Sequence, residues 1–404
     1  MENQRREGER LLRVRGFSPY FFNGNVGEFV SPPTDMLSQD EVYTLSSRAN
    51  NVTRLTFGND PARILKEMIE SGRITKLSKN SMLVLKQNFL QNGRSVKRIG
   101  LICSLNLGEG NDQLIPHEST IREYVEKRNE FLRKTGAQTE PVFIAVPGAE
   151  IESYLNKIAD GLGKLFSFLD SARVENTVYL LDDESRMQEI TKFLEGFRGI
   201  IADGHHRVKA LTEFNREREG NGQMALPLFS YITSLDSPSM SISGIHRLVR
   251  NGGEDVLKRI NSGFRMNKLK TPRLDGNVVL YDGNYREIVP SLDTLKLIRD
   301  SGAYPETPAD YSHFAMHGQS METVNGDDGK ETDYTPYEMR AVEEVDRGKA
   351  KAALLMPAWR KEIFTRIVSS GRILPPKSTF FSPKIFAGIA LSIEEEGTDF
   401  RRRL

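Results

Sequence analysis

The chain has 404 residues, 38% of them apolar, and its 56 Lys and Arg residues nearly balance 55 Asp and Glu residues, so the formal net charge is +1. That length allows two or three domains with a sizeable core. A charge near zero argues against a protein built mainly to grip nucleic acid, which needs a basic face, and no apolar run approaches the roughly 20 residues of a membrane-spanning helix.

The N-terminal sequence and the cysteine content both bear on the compartment. The first residues, MENQRREGERLLRVRG, lack the apolar core of a signal peptide, and the chain has a single cysteine, Cys103. Cys103 lies in RIGLICSLNLG, on the same face of a predicted strand as Leu101 and Leu105. We interpret it as a buried core residue, because a free cysteine behaves as a small apolar side chain. The sequence therefore predicts a cytoplasmic protein without thiol chemistry.

The first third of the chain combines turns, helices and a strand pair. Ser38 stands three residues before Glu41, which is the spacing of a capping box at a helix start. Apolar periodicity predicts, in chain order, a helix around 62–71, a hairpin of strands 82–88 and 97–107, and a charged helix from about 121 to 134.

The middle of the chain alternates strands and helices, which indicates an α/β fold rather than an all-β fold or a helical bundle. The predicted strands are 141–146, 177–181, 199–202 and 226–232. The predicted helices are 150–168, 185–197 and 205–218.

The composition changes after about residue 236. Residues from about 301 to 349 are poor in large aliphatic side chains and rich in Gly, Asp, Glu and Thr, so we predict a mobile loop there. Apolar character returns at AALLMPAW and in a helix near 361–370. The predicted division is an N-terminal region with a catalytic core at 1–240 and a smaller C-terminal α/β domain at 241–404.

The sharpest local feature is the sequence IIADGHHRVKAL at 200–211. An apolar strand ends at Asp203-Gly204 and an amphipathic helix begins at once, and ligands of α/β proteins bind at such junctions. The helix start favours an anion, and Arg207 adds a planar fork that suits phosphate. His205 and His206 supply hydrogen-bond donors or a proton relay, and Asp203 is a candidate ligand for Mg²⁺.

A simpler interpretation of this turn is that Asp203 only caps the helix and that the histidines lie on the surface. An ordinary cap does not need two histidines and an arginine in the same turn, which favours a binding role. A zinc site built from His205 and His206 is disfavoured, because adjacent residues on a helix point about 100° apart.

Two further segments carry chemistry-bearing residues. In IPHEST, Glu118 follows a strand and a turn and is a candidate general base, although a capping carboxylate would look the same. In LPPKST, a rigid Pro-Pro turn precedes Lys377, Ser378 and Thr379, which either contact phosphate or form a structured turn.

The remaining candidates are weaker. His313 and His317 have the spacing of one helix face but no third ligand, His246-Arg247 either orients a ligand or packs structurally, and Trp359 is expected in a core. The chain contains neither GxxxxGK[ST] nor GxGxxG after a strand, so the common nucleotide-binding folds are not indicated.

The combination of ADGHHRVKAL, IPHEST, PVFIA, GIHRLV and PPKSTFF-PK resembles a widespread bacterial domain-of-unknown-function family. The segment SPPTDMLSQDEV…NNVTRLTF is similar to the opening of that family, so the resemblance extends from about residue 15 to 393. The family in turn is similar to the free-serine kinases of the ParB/sulfiredoxin-like superfamily, which carry PHE and DGHHR elements in the same order. The resemblance implies an α/β (α+β) fold with a ParB-like catalytic core.

The same resemblance implies roles for individual residues. Glu118 matches the glutamate that acts as base on the serine hydroxyl, and the turn 203–207 matches the site that holds the phosphates of ADP or ATP with Mg²⁺, with Asp203 as metal ligand. One departure is the spacing, since 85 residues separate Glu118 from Asp203 (203 − 118 = 85), far more than in the compact kinases. The C-terminal third, with Lys377, has no counterpart in those enzymes.

The function expected from these residues is phosphotransfer to a small hydroxylated metabolite, L-serine first, or the reverse reaction on O-phosphoserine. The expected partners are this small molecule and a nucleotide, with no nucleic acid and no membrane; the oligomeric state stays open. The alternatives are a non-catalytic sensor of a nucleotide or amino acid and a ParB-like nucleic-acid-associated protein. A sulfiredoxin-type reductase is disfavoured, because its chemistry would fall to Cys103.

Overall fold

The computed structural model describes residues 12–91, 93–108, 112–250, 254–271, 278–291, 332–371, 373–374 and 376–394. Residues 301–331 of the predicted mobile loop, with His313 and His317, lie outside the described residues.

The helices of the described chain, numbered in chain order, are α1 (Val26–Phe29), α2 (Gln39–Ser46), α3 (Thr53–Phe57), α4 (Pro61–Glu70), α5 (Arg122–Thr135), α6 (Glu150–Ala159), α7 (Glu184–Leu194), α8 (His205–Gly220), α9 (Glu254–Gly263), α10 (Glu338–Asp346) and α11 (Lys361–Ser369).

The strands are β1 (Val14–Arg15), β2 (Tyr20–Phe22), β3 (Ile74–Lys76), β4 (Met82–Gln91), β5 (Arg94–Leu105), β6 (Leu114–Ile115), β7 (Ala137–Gln138), β8 (Val142–Val146), β9 (Lys164–Leu169), β10 (Glu175–Leu181), β11 (Gly199–Asp203), β12 (Leu228–Ser234), β13 (Ser241–Ser243), β14 (His246–Arg250), β15 (Phe264–Lys268), β16 (Val279–Tyr281), β17 (Tyr285–Pro290), β18 (Thr332–Thr335), β19 (Ala350–Leu355), β20 (Phe380–Ser382) and β21 (Ser392–Ile393). The fold is mixed α/β, as the alternation of strands and helices predicted.

The chain forms two compact units. Unit 1 comprises Met1–Pro116, Thr120–Met240 and Pro383–Leu404, and unit 2 comprises His117–Ser119 and Ser241–Ser382. The predicted ranges 1–240 and 241–404 differ from these units in two segments, 117–119 and 383–404. Each segment belongs to the other unit because its backbone pairs with residues that are distant in the chain. No local sequence pattern reveals such pairing.

Unit 1 is built on a nine-stranded sheet in the order β6-β11-β8-β12-β5-β4-β10-β9, with β1 paired to β5. Strands β4 and β5 form a long antiparallel hairpin, whereas β12 and β8 run parallel. Every residue of β8 is buried, which explains its continuous apolar sequence VFIAV, since a strand covered on both faces needs no polar side.

Cys103 lies in β5 at the centre of this sheet. It is fully buried in the main apolar cluster of unit 1, as predicted. Burial raises the pKa of its thiol, because removal from water disfavours the thiolate. A buried thiol that is protonated at neutral pH is a poor nucleophile.

The C-terminal segment of unit 1 packs against the N-terminal region. Ser31 pairs with Ala387 and Tyr20 with Leu391, and all but Ser31 belong to one apolar cluster. Gly388 adopts φ +85°, and a β-carbon there would lie 3.1 Å from the ring of Phe29. A glycine is therefore required where this segment turns.

Unit 2 contains a six-stranded sheet in the order β15-β17-β16-β19-β14-β18. The central strand β19 carries small and apolar residues and pairs with both β14 and β16. Two apolar clusters form the core of this unit, one around Val249 and Leu354 and the other around Val279 and Leu355.

Most of the predicted elements are confirmed within a few residues. The mobile loop predicted for 301–349 is wrong in its described part, because strand β18 and helix α10 occupy 332–346. The capping box of Ser38 and Glu41 is present at the start of α2, with the Ser38 amide donating to the Glu41 carboxylate at 2.8 Å. The predicted helix 150–168 is wrong in its second half, where α6 ends at Ala159 and β9 begins at Lys164. Gly161 adopts φ +81° between them, and this left-handed residue terminates the helix. Among the described helices, none combines the length and apolar character needed to cross a bilayer.

Candidate functional site

The turn at 203–207 in unit 1 joins the end of β11 to the start of α8. Gly204 occupies the N-cap position with φ +102°, a conformation that side chains other than glycine rarely adopt. A β-carbon at Gly204 would also lie 3.0 Å from the guanidinium of Arg207. The glycine thus lets the chain turn tightly and lets Arg207 fold back over it, and it adds no capping side chain to the positive end of the helix.

Asp203 is the charged centre of this turn. One carboxylate oxygen pairs with the ammonium of Lys384, and the other accepts a hydrogen bond from Nη2 of Arg207 at 2.5 Å. Burial alone would raise the pKa of Asp203, but Lys384 and Arg207 outweigh it and hold the pKa well below its usual range. Asp203 is therefore ionised at any physiological pH.

Arg207 contacts protein oxygens with both arms of its guanidinium. Nη2 donates a hydrogen bond to Asp203, and Nη1 donates to the backbone oxygens of Glu140 at 3.1 Å and Pro141 at 2.7 Å. The sequence predicted that Arg207 binds phosphate directly. This geometry gives Arg207 a positioning role, because the guanidinium ties the start of α8 to the start of β8. Its contact with phosphate stays a prediction.

The two histidines of the turn have different surroundings. His206 accepts a hydrogen bond at Nε2 from the amide of Ile121 at 2.9 Å, and its ring meets Tyr124 edge-on with centroids 5.3 Å apart. His205 acts electrostatically on Asp203. No group of three or more potential metal ligands occurs in the part of the chain that the structure describes, so zinc-type coordination by protein side chains alone is not present there.

Glu118 in unit 2 is held by the LPPKST segment. Its Oε1 accepts hydrogen bonds from the amides of Ser378 at 3.1 Å and Thr379 at 3.0 Å and from the Thr379 hydroxyl at 2.9 Å. Its Oε2 accepts a longer bond of 3.3 Å from the amide of Lys377. Two motifs that are 259 residues apart in the chain, each predicted separately, are thus in direct contact.

The amides around Glu118 converge because Lys377 has an unusual backbone conformation. Its φ of +62° lies in the left-handed region, which favours glycine. Consecutive amides that follow such a residue point to one side and form an anion-binding concavity. In unit 2 this concavity is filled by the carboxylate of Glu118.

His117 completes the surroundings of Glu118. Its Nε2 lies 2.7 Å from the Thr379 hydroxyl, which itself donates to Glu118, so His117 donates to that hydroxyl. The ring of His117 is fully buried and packs edge-on against Phe364, with centroids 5.1 Å apart. This chain of hydrogen bonds fixes the orientation of the carboxylate.

The predicted pair His246-Arg247 is buried in unit 2. His246 accepts the amide hydrogen of Met356 at Nδ1, and burial lowers its pKa to about 4, so it packs as a neutral ring. Arg247 is fully buried; its Nη1 donates to the backbone oxygen of Ile245, while Nε and Nη2 have no hydrogen-bond partner in the described chain. Burial lowers the pKa of Arg247, and the charge of Glu118 partly opposes this. Trp359, as expected, is a core residue and bonds the backbone oxygen of Ser378.

The predicted site residues therefore form two groups, one in each unit. The first group is the turn 203–207, and the second is Glu118 with Lys377, Ser378 and Thr379. Sequence reasoning missed Lys384 and Glu140. Lys384 lies in the PPKSTFF-PK motif, but nothing in that motif indicates that it pairs with a carboxylate 181 residues earlier.

Comparison with known proteins identifies the family. The model of the family described as "Protein of unknown function (DUF1015)" matches residues 19–330. The chain belongs to this family. The resemblance to a domain-of-unknown-function family that the sequence motifs indicated is thereby confirmed.

Solved structures similar to this chain share little sequence with it. A free serine kinase in complex with AMP is 18% identical, covering 69% of this chain and 89% of its own, with a TM-score of 0.38. A conserved hypothetical protein from Pyrococcus furiosus is 15% identical, with 68% and 89% covered and a TM-score of 0.38. SbnI with a C-terminal truncation, from Staphylococcus aureus, is 10% identical, with 72% and 90% covered and a TM-score of 0.39. Among curated proteins, none matches this chain. Likeness of this degree assigns no activity.

Proposed function

We propose that the chain is a nucleotide-dependent phosphotransferase that acts on a small hydroxylated metabolite, with L-serine as the first candidate, or that runs the reverse reaction on O-phosphoserine. The observation that carries the proposal is the turn at 203–207. There a buried carboxylate is kept ionised by Lys384 and Arg207 beside the positive end of α8, whose N-cap residue is a glycine.

The turn suits the phosphates of ATP or ADP. A helix start without a capping side chain can direct backbone amides at an anion, and its dipole favours negative charge. Because α8 is a helix of sixteen residues, its N-terminal end is a stable part of the fold. Arg207 stays on Glu140, Pro141 and Asp203 in this proposal and keeps the helix start in position, while the backbone contacts the phosphate.

Asp203 is the proposed ligand of a magnesium ion that arrives with a nucleotide. Each carboxylate oxygen of Asp203 accepts a hydrogen bond from one cation. Because a carboxylate oxygen has two lone-pair directions, one direction on each oxygen remains for a metal ion. Mg²⁺ commonly binds through one or two carboxylates together with substrate phosphates. When bound there, Mg²⁺ would neutralise charge on the transferred phosphoryl group.

Glu118 is the proposed general base. Three hydrogen bonds to Oε1 hold the carboxylate in one orientation, and Oε2, whose contact with the Lys377 amide is longer, is the oxygen proposed to take a proton. In the proposed step the substrate hydroxyl oxygen bonds to the terminal phosphorus, the bond from that phosphorus to the nucleotide breaks, and the hydroxyl proton passes to Glu118. The electron pair of the broken bond leaves with the nucleotide.

Phosphorus NMR tests the proposal. The protein is incubated with ATP or ADP, Mg²⁺ and L-serine, and in parallel with AMP or ADP and O-phosphoserine. A new phosphomonoester resonance, matched by loss of the donor's terminal phosphate, is the expected result. Nucleotide binding by calorimetry without any turnover over a panel of hydroxylated amino acids would favour the sensor alternative and reject the phosphotransferase.

Glu118→Gln tests the proposed role of Glu118 as base separately from nucleotide binding. The substitution keeps the shape of the side chain but cannot accept the proton, so we expect turnover to fall by at least about 100-fold with nucleotide affinity nearly unchanged. Glu362→Gln, at an exposed position of α11, is the control and should retain full turnover. Activity retained in Glu118→Gln would exclude Glu118 as the base.

A further inference from the structure

Arg98 of β5 is a fully buried cation in the sheet of unit 1. The centre of its guanidinium lies 5.1 Å from the ring of Phe143 and 5.7 Å from the ring of Tyr231. Burial lowers the pKa of Arg98, because removal from water disfavours the charged form. Replacing buried charged groups by apolar side chains of similar volume is often neutral or stabilising. Stability alone therefore does not explain a positive charge here, and the hydrogen bonds of Arg98 indicate what it holds.

The guanidinium of Arg98 connects this sheet to the C-terminal segment of unit 1. Its Nε and Nη2 donate to Oε1 of Gln87, on the neighbouring strand β4, at 2.9 and 2.6 Å. Nη2 also donates to the backbone oxygen of Pro383 at 2.6 Å, 285 residues further along the chain. The buried amide of Gln87 in turn donates to Asn176 of β10 at 2.9 Å. These hydrogen bonds cross β10, β4 and β5 and end on one carbonyl group of the C-terminal segment.

That carbonyl group belongs to the peptide unit that leads into Lys384. The oxygen of Pro383 and the nitrogen and α-carbon of Lys384 lie in one rigid plane, so a donor that fixes the oxygen also fixes the point where the Lys384 side chain begins. The Lys384 side chain is buried, and its ammonium pairs with Oδ1 of Asp203. Ordering a lysine side chain costs up to about 2 kcal/mol of conformational entropy. A fixed backbone limits the additional freedom that this ion pair has to overcome.

We propose that Arg98 is a positioning residue that holds Lys384 on Asp203 through the backbone of Pro383. A guanidinium suits this task, because its planar fork donates to two acceptors at fixed angles, whereas an ammonium is a compact point charge. What the placement serves rests on the proposed function, in which Asp203 receives magnesium with the nucleotide. The placement itself involves only residues of this chain, so it can be tested without a substrate.

NMR of the whole chain, labelled with ¹⁵N at the lysine side chains, tests the placement. A buried ammonium in an ion pair exchanges its hydrogens slowly with water, so Lys384 should give an Nζ signal that is missing in Lys384→Arg. In Arg98→Met the exchange of these hydrogens should quicken by at least about tenfold, because the hydrogen bond that fixes Pro383 is lost. Thermal unfolding of the same sample shows that the variant is folded.

Two further variants separate positioning from a general loss of structure. Thr53→Val removes another buried hydrogen bond of unit 1, from the Thr53 hydroxyl to Asn51 at 2.7 Å, and should leave the Lys384 signal unchanged. Arg98→Lys keeps the buried charge without the fork, so it should give a smaller increase in exchange, and it replaces Arg98→Met if that variant does not fold. Unchanged exchange at Lys384 in a folded Arg98 variant overturns the proposal, as does an equal increase in Thr53→Val. Neither outcome depends on whether the chain transfers phosphate, because no nucleotide is present.

Discussion

Asp203 in unit 1 and Glu118 in unit 2 are both carboxylates with little exposure, 11% and 15% of their side chains, yet they are stabilised by different groups. Asp203 is paired with two side-chain cations, Lys384 and Arg207. Glu118 accepts from three backbone amides and one hydroxyl, all supplied by 377–379. A carboxylate paired with fixed cations has its charge neutralised by them, whereas hydrogen bonds from amides stabilise the ionised carboxylate through their dipoles and also fix its orientation. The comparison predicts a larger loss of stability when a cation is removed from Asp203 than when one hydrogen bond is removed from Glu118.

The largest expected effect comes from Lys384→Met. This variant leaves the buried carboxylate of Asp203 with one cation instead of two. Breaking a buried ion pair lowers the free energy of unfolding by about 3–5 kcal/mol. Urea unfolding measures the loss. Lys79→Met is the control, because Lys79 pairs with Asp182 at 2.7 Å on the surface, where a pair contributes about 1 kcal/mol or less. Equal losses in the two variants would mean that the ion pair with Asp203 contributes no more to the unfolding free energy than a surface ion pair does.

The next largest effect is the pH dependence of the unfolding free energy that Asp203 produces. Its pKa is lowered in the folded chain, so the unfolded chain binds its proton first as the pH falls. The stabilisation is therefore fully present above about pH 5 and is lost progressively below about pH 4, where unfolded aspartate titrates. The difference in unfolding free energy between the unmodified chain and Asp203→Asn should shrink across that range. A difference that stays constant down to pH 2 would show that the cations do not stabilise the ionised form.

A smaller effect is expected from Thr379→Val in unit 2. The hydroxyl that links His117 to Glu118 is removed, while the backbone amides remain in place. The expected loss in unfolding free energy is about 1 kcal/mol, the value of one hydrogen bond with part of its cost in unpaired groups. Thermal unfolding measures it. A loss as large as that of Lys384→Met would mean that side chains, not amides, hold both carboxylates.

The smallest effect, of opposite sign, is expected from Lys377→Gly. Glycine adopts φ +62° without strain, so the amides around Glu118 keep their positions and stability rises by at most about 1 kcal/mol. The variant also removes the Lys377 side chain without disturbing the backbone. Unchanged nucleotide affinity would assign the role of this residue to its backbone, and a large loss would assign it to the ammonium group, as the sequence predicted.

Local sequence patterns were enough for much of the fold. The β4–β5 hairpin, the capping box at α2 and the strand-to-helix turn at Asp203 each depend on residues close together in the chain, so apolar periodicity and cap residues reveal them. The boundary between α6 and β9 was missed, because the apolar residues from 150 to 168 fit a helix until Gly161 is seen to turn left-handed. The segment LFSF then pairs with β10, which is a property of the sheet.

The sequence alone singled out the residues that are proposed to carry chemistry, since Glu118, the turn 203–207 and 377–379 are all marked by residue types that an ordinary surface does not need together. Only the tertiary structure decided their partners. It placed Lys377 to Thr379 around Glu118, Lys384 on Asp203, and Glu140 beside Arg207 and Arg128. The physical reason is that charge pairing and amide convergence act over a few ångströms in space, and the segments involved are up to 261 residues apart in the chain.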